Sequence, residues 1–403
     1  MSSDPTLTNT QTLQPLPRTQ LQNTVASRER VIQQIQAAGV CGLGGGRFDT
    51  ANKLRAAAGA RAVIINGLQS EPDNNSDMAL LQETPKTIIA GAALAAFCVC
   101  AGSTADADAA MSIVLALPEK PALVSELART LQTSIEQESA WITNLLDRPV
   151  EFRRVQLKAG HASGEEHVLA ISLGLSKEAP TDGAPIANSA PLTTGGLVCI
   201  NVATAHALAR AVFAGEPLRQ RLITIHGKPQ WLDFGTPLQT LLTPEQTLAS
   251  IWVNGRHGGM PASDQPDNAQ VHAGLFCINT APAQPTAPCI NCSACVPACP
   301  VGLRPDELYR ALEQNTETAP HLQLDACLEC GACNAVCPSN LPLAQVFRRA
   351  RTEQAAAMTR ARMAQKAKTR SAARSARLAA QGADRAARAK ERQRRQERSK
   401  RSW

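Results

Sequence analysis

A cysteine pattern that occurs twice in the last third of the chain limits most strongly what this sequence can fold into. Each copy has three cysteines separated by two residues, and then, after three more residues, a fourth cysteine followed by proline: Cys289, Cys292, Cys295 and Cys299-Pro300, then Cys327, Cys330, Cys333 and Cys337-Pro338. Three thiolates at this spacing can surround one face of an iron-sulfur cube from a single loop. The repeat therefore predicts an α-helical, ferredoxin-like module with two 4Fe-4S clusters.

The fourth cysteine of each run decides how the ligands divide between the clusters. In two-cluster ferredoxins it binds the cluster held mainly by the other run. This rule predicts one ligand set of Cys289, Cys292, Cys295 and Cys337, and a second set of Cys327, Cys330, Cys333 and Cys299. Zinc is the alternative metal because it also accepts four thiolates at paired spacings, but three evenly spaced cysteines fit it poorly.

The remaining cysteines and the histidines lack metal-ligand spacing. Five cysteines lie in apolar or glycine-rich surroundings, and we expect them to be small buried hydrophobic residues: Cys41, Cys98, Cys100, Cys199 and Cys277. The seven histidines are scattered, and we expect three of them to be ordinary core or surface residues: His206, His226 and His257.

Length and composition indicate a globular chain of several domains in a reducing compartment. At 403 residues the chain exceeds the size at which single hydrophobic cores stop growing. No basic stretch followed by an apolar core and a cleavage site indicates secretion, so we expect reduced thiols that favour a metal or redox site over disulfides. The longest apolar run, Thr87 to Gly102, is shorter than the roughly 20 residues that cross a bilayer and predicts a buried helix.

Charge is distributed unevenly along the chain. Residues 348–403 contain 19 basic and 4 acidic residues, a net charge of +15, whereas the preceding residues contain 22 basic and 30 acidic residues, a net charge of −8. A basic tail attracts nucleic acid, anionic lipid or an acidic protein surface. No aromatic residues alternate with the charges, so we expect no specific nucleic-acid binding and favour anionic lipid or an acidic partner surface, with a merely solubilising arm as the alternative.

Hydrophobic periodicity predicts an open α/β sheet in the first half of the chain. Apolar residues at helical spacing predict a helix over 28–38, and a second short helix is predicted from about Asp49. The run at 61–66 is rich in β-branched residues and predicts a buried strand, and 85–98 predicts a helix. Helices alternating with buried strands are typical of an open α/β sheet.

The rest of the chain divides by composition. A strand at 198–202, a helix at 206–213 and an alternating run at 221–227 predict a small β-rich domain, and the prolines of 282–288 predict a linker. The predicted segments are a disordered leader (1–27), an α/β domain (28–195), a helix and small β domain (196–281), the cysteine module (282–346) and a basic helical or disordered tail (347–403).

A glycine-rich loop stands just before the second predicted helix. It reads Gly42-Leu43-Gly44-Gly45-Gly46, where free backbone N–H groups and the helix dipole favour a phosphate group. Lys53, one turn into the helix, adds a positive charge. A flexible connector is the alternative interpretation, because glycine-rich turns are common.

Several motifs together resemble a known family. The stretch from Ala37 through the glycine-rich loop to Lys53 is followed in order by Asn66-Gly67 with Glu71-Pro72, by Gly164-Glu165-Glu166, and by Asn201 to Thr204. This order resembles the C subunit of the Rnf (or Rsx) electron-transport complex, which is similar in turn to the flavoprotein subunit of respiratory complex I. The resemblance covers roughly residues 28–350 and includes the cysteine repeat.

The resemblance implies a set of cofactor contacts. FMN would be held by the glycine-rich loop and by polar residues that follow it, with NADH stacking over the flavin near Phe48: Gly42, Gly44, Gly45, Gly46, Lys53, Asn66, Glu71, Gly164, Glu165, Glu166, Asn201 and Thr204. It also implies that the small β-rich domain is a soluble-ligand-binding β-grasp domain. The chain would be a peripheral subunit on the cytoplasmic face of a bacterial inner membrane, passing electrons between NADH, FMN, two 4Fe-4S clusters and membrane partner subunits.

Departures from the family pattern keep two alternatives open. The family has glycine and proline on either side of Phe48, whereas this chain has Arg47 and Asp49, and an acidic residue expected after Asn66 is Gln69. These changes favour an iron-sulfur relay that has lost NADH and flavin chemistry. The second alternative is an assembly or adaptor protein whose basic tail binds nucleic acid or membrane and whose clusters only brace the fold. Separately, Glu165 and Glu166 have an alternative interpretation as an exposed helix start that is stabilised by the helix dipole and contacts no cofactor.

Overall fold

A computed structural model describes residues 13–68, 74–100, 110–119, 121–157, 164–175, 196–253, 255, 259–264, 270–274, 276–278, 285–314 and 323–401. The chain divides into two units, Met1–Phe347 and Arg348–Trp403. The helices, α1 to α11 in chain order, are Val25–Ala37, Thr50–Ala56, Ser76–Glu83, Pro85–Val99, Pro121–Leu146, Glu166–Ser172, Val202–Ala209, Cys295–Ala298, Pro305–Glu313, Ala332–Ala335 and Leu343–Arg401. The strands, β1 to β9, are Ala62–Asn66, Met111–Pro118, Val150–Leu157, Leu197–Asn201, Gln220–Ile225, Lys228–Asp233, Ile251–Val253, Met260–Pro261 and Phe276–Ile278.

A four-stranded parallel sheet organises the first part of the chain. Its strand order is β3-β2-β1-β4, and all three strand pairs are parallel. The direction of the crossovers reverses at β1, since β2 lies on one side of it and β4 on the other. In open parallel sheets, the crevice beyond the carboxyl ends of the strands at such a reversal is the usual place for a ligand. Asn66 and Asn201 are register partners at this end of β1 and β4.

Both faces of this sheet are covered, which explains why β1 is apolar throughout. Val63 and Ile65 pack with the layer that contains α1, α2, α4, α5 and α7, whereas Ile64 packs with Leu169 of α6 on the opposite face. Strands buried on both faces are expected to be continuous apolar runs. Helix α4 crosses α7 closely at Gly91, where any side chain would collide with the backbone carbonyl of Ala205.

A second, mixed sheet follows. Its order is β6-β5-β9-β7-β8, with β5 and β9 parallel and the other pairs antiparallel. The β5–β6 hairpin turns at His226 and Gly227, whose φ angles of 48° and 79° match the left-handed turns that fit the twist of a hairpin. The small core of this sheet includes Ile223, Ile251 and Val253.

The segment 1–27, expected to be a disordered leader, is ordered from residue 13 onward, so that prediction was wrong for 13–27. Leu16 is buried, and its backbone N–H donates to the carbonyl of Val212 at 2.8 Å. The guanidinium of Arg18 lies 4.3 Å from the ring centroid of Trp141 and forms an ion pair with Glu138. The segment lacks periodicity because it packs through single side chains and not through one face of a long helix. Residues 1–12 lie outside the described residues.

One domain boundary also differs from the sequence-based expectation. The strand at Leu197–Asn201, assigned above to the segment 196–281, is the fourth strand of the parallel sheet, so that sheet continues past residue 195. The tail is helical: α11 runs from Leu343 to Arg401. Among the described residues, we find no helix with the length and apolar character needed to cross a bilayer.

Candidate functional site

The glycine-rich loop is closed on itself by backbone hydrogen bonds. The N–H of Gly42 donates to the carbonyl of Phe48 at 2.8 Å, and the N–H of Arg47 donates back to the carbonyl of Gly42 at 3.1 Å. Arg47 adopts a left-handed backbone with a φ of 49°, a conformation that favours glycine. Asp49 caps α2, because its carboxylate accepts from the N–H of Asn52 at 2.8 Å. The non-family residue Asp49 therefore has a structural role in this chain.

The tip of the loop presents open backbone groups. The N–H groups of Gly44, Gly45 and Gly46 have no hydrogen-bond partner among the described residues. Gly44 packs so closely on Asn201 that a Cβ there would lie 3.1 Å from the Cβ of Asn201, whereas nothing lies within 4 Å of the corresponding position at Gly46. A short run of unpaired N–H groups offers donors to the oxygens of a phosphate.

The loop is fastened to the carboxyl edge of the sheet. Its Leu43 N–H donates to the hydroxyl of Thr204 at 2.9 Å, one turn into α7. The side chain of Asn201 caps α7 by accepting from Ala203 N–H at 2.9 Å, and its amide donates to Asp77 at 2.6 Å. These contacts bring together two of the residues predicted from the resemblance, Asn201 and Thr204, beside the glycines.

The acidic segment 164–166 closes the other side of the same edge. The side-chain amide of Asn66 donates to the carbonyl of Gly164 at 2.7 Å. Lys53 forms an ion pair with Glu166, the first residue of α6, so α2 and α6 are joined across the site. Lys53 is therefore already paired with an anion, in contrast to the free positive charge expected from sequence. Ten predicted contact residues thus form one connected cluster: Gly42, Gly44, Gly45, Gly46, Lys53, Asn66, Gly164, Glu166, Asn201 and Thr204.

The other predicted residues of this site are placed as follows. Phe48 is half-buried and directly follows the loop. Glu165 occupies the N-cap position of α6, but its side chain accepts no hydrogen bond from the N–H groups of the helix. Glu71 and Gln69 lie outside the described residues.

Two buried charged residues at this site were missed by sequence reasoning. Arg221, on β5, is 2% exposed and donates to the carbonyls of Leu43 at 3.3 Å, Ala273 at 2.6 Å and Gly274. Asp77, on α3, lies beneath Asn201, and burial raises the pKa of its carboxyl group. No local pattern marks Arg221, because it lies in a different sheet and far along the chain from the loop that it holds.

The eight repeat cysteines lie in two groups of four. One cavity in the cysteine module is lined by Cys289, Cys292, Cys295 and Cys337, and a second is lined by Cys299, Cys327, Cys330 and Cys333. In each group three cysteines come from one run and the fourth comes from the other run. Thiolates are the ligands that iron-sulfur clusters require, so the donor chemistry of both groups fits such a cluster.

The two cysteine loops share one backbone design. Asn291 and Ser293 in the first loop have φ angles of 56° and 54°, and Glu329 and Gly331, at the equivalent places in the second, have φ angles of 54° and 76°. Left-handed residues at these two places turn the chain so that successive cysteines point to one side. Because single residues outside glycine adopt this conformation rarely, its repetition indicates a shared requirement.

Hydrogen bonds between the runs bring each fourth cysteine to its group. The backbone N–H of Ala287 donates to the carbonyl of Ser339 at 2.9 Å, and the Ser339 hydroxyl donates to the carbonyl of Pro288 at 2.9 Å. These bonds place the segment after Cys337 beside the segment before Cys289.

The spacing of donors in the described residues does not suit a single metal ion. No group of three or more His, Cys, Asp or Glu side chains in that part of the chain is arranged to hold one ion. Zinc needs four sulfurs about 2.3 Å from one centre, whereas a cube of four irons holds its thiolates farther apart.

The two cysteine groups differ in their surroundings. Burial, with a smaller contribution from the nearby carboxylate of Glu165, raises the pKa of the Cys330 thiol to about 12. The second group therefore lies near the acidic segment of the glycine-loop site. In the first group, Cys292 is exposed and the neighbouring Ile290 is 66% exposed.

The remaining described cysteines agree with the expectation of small core residues in three cases. Cys98, Cys100 and Cys199 are buried, and burial raises the pKa of each thiol. Cys41 is half-buried beside the glycine-rich loop. The side chain of Cys277 and residue His257 lie outside the described part of the structure.

A large cavity lies next to this site without being part of it. Its volume is about 960 Å³, and its walls include His206 and Ala207 of α7 and Trp231 of β6. Leu43 and Arg221 border it, but Lys53, Asn66 and Gly164 do not. His206 is buried there and burial lowers its pKa to about 4, so its ring is neutral at pH 7.

Comparisons with known families agree with both parts of the site. Residues 35–210 match the model of the Nuo51 FMN-binding domain, which spans the glycine-rich loop, the parallel sheet and α7. Residues 288–341 match the model of a 4Fe-4S dicluster domain, which contains all eight repeat cysteines.

Curated relatives carry one name. The chain is 30% identical over 366 residues to the C subunit of the ion-translocating oxidoreductase complex of Actinobacillus succinogenes, covering 86% of this chain and 47% of that protein. The proteins of the same name from Pasteurella multocida and Klebsiella pneumoniae are 30% and 31% identical, with 85% and 86% of this chain covered and 39% and 44% of theirs. The chain thus spans less than half the length of these three relatives.

Two solved structures match part of the chain. Chains of a NAD⁺-reducing nickel-iron hydrogenase in its air-oxidised and H₂-reduced states match with 24% and 23% identity and TM-scores of 0.45 and 0.47, covering 63% of this chain and 46% of theirs. From the family models and the curated relatives, the chain is a relative of the C subunits of ion-translocating oxidoreductase complexes, with a Nuo51-type FMN-binding domain followed by a 4Fe-4S dicluster domain.

Proposed function

We propose that this chain is a peripheral electron-transfer subunit that carries electrons between a flavin site at the glycine-rich loop and two 4Fe-4S clusters in the cysteine module. The observation that carries the proposal is the arrangement of the cysteines. Two groups of four thiols form by exchange of the fourth cysteine between runs, and one of them lies near Glu165 at the edge of the flavin-type site.

The residues of the glycine-loop site have distinct roles in this proposal. The N–H groups of Gly44, Gly45 and Gly46 bind the phosphate of FMN, and the closeness of Gly44 to Asn201 keeps the loop against the sheet edge. Asn66 and Asn201 orient polar edges of the cofactor at the carboxyl ends of β1 and β4. FMN, when bound, accepts two electrons and releases them one at a time.

The cysteine module provides the exit from this site. Cys299, Cys327, Cys330 and Cys333 hold the cluster nearer to Glu165, and Cys289, Cys292, Cys295 and Cys337 hold the other. Cys292 and Ile290 are exposed beside the cluster that Cys289, Cys292, Cys295 and Cys337 hold. They give that cluster a surface at which a partner docks. We propose that the partners are other subunits of an ion-translocating complex, because the relatives are named as subunits of such a complex. The proposed location, the cytoplasmic face of a bacterial inner membrane, rests on the family resemblance alone.

NADH is the proposed electron donor, with Phe48 beside the nicotinamide. The family resemblance supports this assignment, and Arg47 next to Phe48 predicts slower access than in a chain with glycine there. The small mixed sheet is proposed to be a β-grasp domain. Its strand order, with the first and last strands parallel at the centre, supports that assignment.

Anaerobic reconstitution tests the proposal. The full chain, loaded with iron, sulfide and FMN, is expected to hold one flavin and about eight irons. Addition of NADH under anaerobic conditions is expected to bleach the flavin absorbance before cluster signals appear in paramagnetic resonance. A chain that holds zinc or no metal after reconstitution contradicts the proposal.

A relay without flavin is the second candidate function, favoured by the left-handed conformation of Arg47 in the loop. Its signature is about eight irons per chain with no bound flavin. The substitution Arg47→Gly separates the two candidates, because it relaxes the loop: it is expected to increase flavin affinity if the loop is a flavin site and to leave iron content unchanged.

A further inference from the structure

The positive charge of α11 is concentrated on one side of the helix. With about 100° between successive residues, eight of the eleven Lys and Arg side chains between residues 366 and 395 fall within an arc of about 100°. They form what we call the basic stripe: Lys366, Arg370, Arg374, Arg377, Arg385, Arg388, Arg392 and Arg395. An even distribution would place about three of the eleven in such an arc.

The opposite face of the same helix segment is mostly alanine. Seven alanines fall on it: Ala372, Ala376, Ala379, Ala380, Ala383, Ala386 and Ala387. Every residue from Ala355 to Gln396 is exposed. Most of the positive charge therefore lies on one side of the helix, and the other side has no broad surface of large apolar residues.

Acidic side chains weaken the stripe in only two places. Asp384 lies within the arc and pairs with Arg388 at 3.0 Å, and Glu391 lies just beside the arc and pairs with Arg395 at 3.4 Å. Six of the eight stripe residues have no ion pair with any described residue. Repulsion within such a dense row of like charges raises the free energy of the isolated helix. Binding of the row to an anionic surface is therefore favoured.

We infer that the basic stripe binds anionic lipid headgroups and lays α11 along a membrane surface. From Lys366 to Arg395 the stripe is about 44 Å long, a straight row that matches a flat surface. Each Lys or Arg held near an anionic leaflet contributes to binding, and the alanine face lacks the large side chains that insert between acyl chains. The attachment is therefore electrostatic, reversible and sensitive to salt.

The choice of a lipid surface over other polyanions rests on the proposed function, because an ion-translocating complex acts at a membrane. Duplex DNA and an acidic protein helix offer similar charge, and competition among these ligands separates them. Lipid binding does not require flavin or clusters, so the two proposals fail independently. Vesicle binding is measured both on reconstituted and on cofactor-free protein for that reason.

The experiment compares two triple variants of the full chain that lose the same charge. Lys366→Gln with Arg370→Gln and Arg374→Gln removes part of the stripe, and Lys368→Gln with Lys390→Gln and Arg394→Gln removes charge from the other side of the helix. Co-sedimentation with vesicles of phosphatidylcholine and phosphatidylglycerol is expected to weaken about tenfold or more for the stripe variant and less than about threefold for its control. Circular dichroism verifies that both keep the helix.

Several results would overturn the inference. Equal losses in both triple variants mean that net charge alone attracts the vesicles. Equal binding to pure phosphatidylcholine vesicles, or binding that survives high salt, removes the electrostatic basis. Tighter binding to a DNA duplex or to polyglutamate than to the mixed vesicles assigns the stripe to a different partner.

Discussion

Arg221 is a buried side chain that joins the glycine-rich loop to the segment beside the small sheet. Its guanidinium is buried and bonds to the Leu43 carbonyl in the loop and to the carbonyls of Ala273 and Gly274 near the small sheet. Arginine suits this position because it has five donors in a fixed plane and remains charged when buried. Removing it leaves several buried carbonyl groups unpaired, at a cost of about 1–3 kcal/mol each.

We expect Arg221→Gln to weaken FMN binding by about tenfold or more, because the loop loses its fixed position while the backbone N–H groups proposed to bind the phosphate are unchanged. Arg221→Lys is expected to be intermediate, since lysine keeps the charge but not the planar set of donors. FMN fluorescence titration gives the dissociation constants, and circular dichroism shows that each variant is folded.

Arg219→Gln is the matched control, because Arg219 is an exposed arginine two residues away. Its dissociation constant is expected to equal that of the unmodified chain. If a folded Arg221→Gln variant also binds FMN with unchanged affinity, the loop does not depend on Arg221.

His206 predicts a pH dependence of stability. Burial lowers its pKa in the folded chain to about 4 from an ordinary value of 6.5, with Arg210 adding to the shift. The unfolded chain binds the proton first as pH falls, so stability from the neutral ring is present above about pH 6.5 and is lost between about pH 6.5 and 4. Between pH 7.5 and 5.0 the loss is on the order of 2 kcal/mol.

Thermal unfolding at several pH values tests this prediction. His206→Gln is expected to flatten the fall in Tm between pH 7.5 and 5.0, whereas the same change at the exposed His226 is expected to leave that fall as it is. A His206→Gln variant whose Tm falls with pH as steeply as that of the unmodified chain contradicts the assignment.

The cysteine loops are the elements on which the proposed electron transfer depends. The assignment of each fourth cysteine to the cluster of the other run can be tested directly. We expect Cys299→Ala and Cys330→Ala each to reduce iron from about eight to about four per chain, and the double variant to remain at about four, because both residues serve one cluster. Cys295→Ala combined with Cys299→Ala is expected to remove nearly all iron. Iron is measured on anaerobically reconstituted, gel-filtered protein.

The opposite pattern would show that each run keeps its own four cysteines. In that case Cys295→Ala with Cys299→Ala would retain about four irons, and Cys299→Ala with Cys330→Ala would lose all eight. The two doubles remove two cysteines each, so each is a control for the other.

Local patterns predicted some elements well and others not at all. The strand predicted at 61–66 is β1, Ala62–Asn66, and the helix predicted at 85–98 is α4, Pro85–Val99, because each is a continuous apolar run with a clear end. Residues 13–27 and the membership of β4 in the first sheet were missed. Those features depend on contacts with Val212, Trp141 and β1, which are far away in the sequence and leave no periodic signal.

The parts of the site that a local sequence motif encodes could be predicted from the sequence. The parts that bring together residues far apart in the sequence could not. The cysteine grouping followed from spacing, and the glycines and asparagines followed from a resemblance over the order of motifs. Arg221 and Asp77 were found only in the structure, because their importance comes from burial next to the loop and next to Asn201. The pairing of Lys53 with Glu166 likewise depends on how α2 and α6 meet.

The whole chain combines a parallel α/β sheet, a small mixed sheet, a cysteine module and a long basic helix, and it spans less than half the length of the relatives that it matches. Three of these parts each contribute one physical property: the α/β sheet has donors for a phosphate, the cysteine module has soft ligands for iron, and the long helix has a row of positive charge. The proposed function requires the flavin and the clusters to act as one redox unit, in which electrons pass from one cofactor to the next. A chain with isolated cofactors would not carry electrons between them.

A reductive titration of the reconstituted chain tests most directly whether the chain holds both the flavin and the two clusters that this function requires. Dithionite is added stepwise without oxygen while flavin absorbance and paramagnetic resonance are recorded on the same sample. We expect an uptake of about four electrons per chain, two by the flavin and one by each cluster. An uptake of about two electrons by clusters alone, with no flavin signal, or no uptake at all would contradict the proposed redox unit.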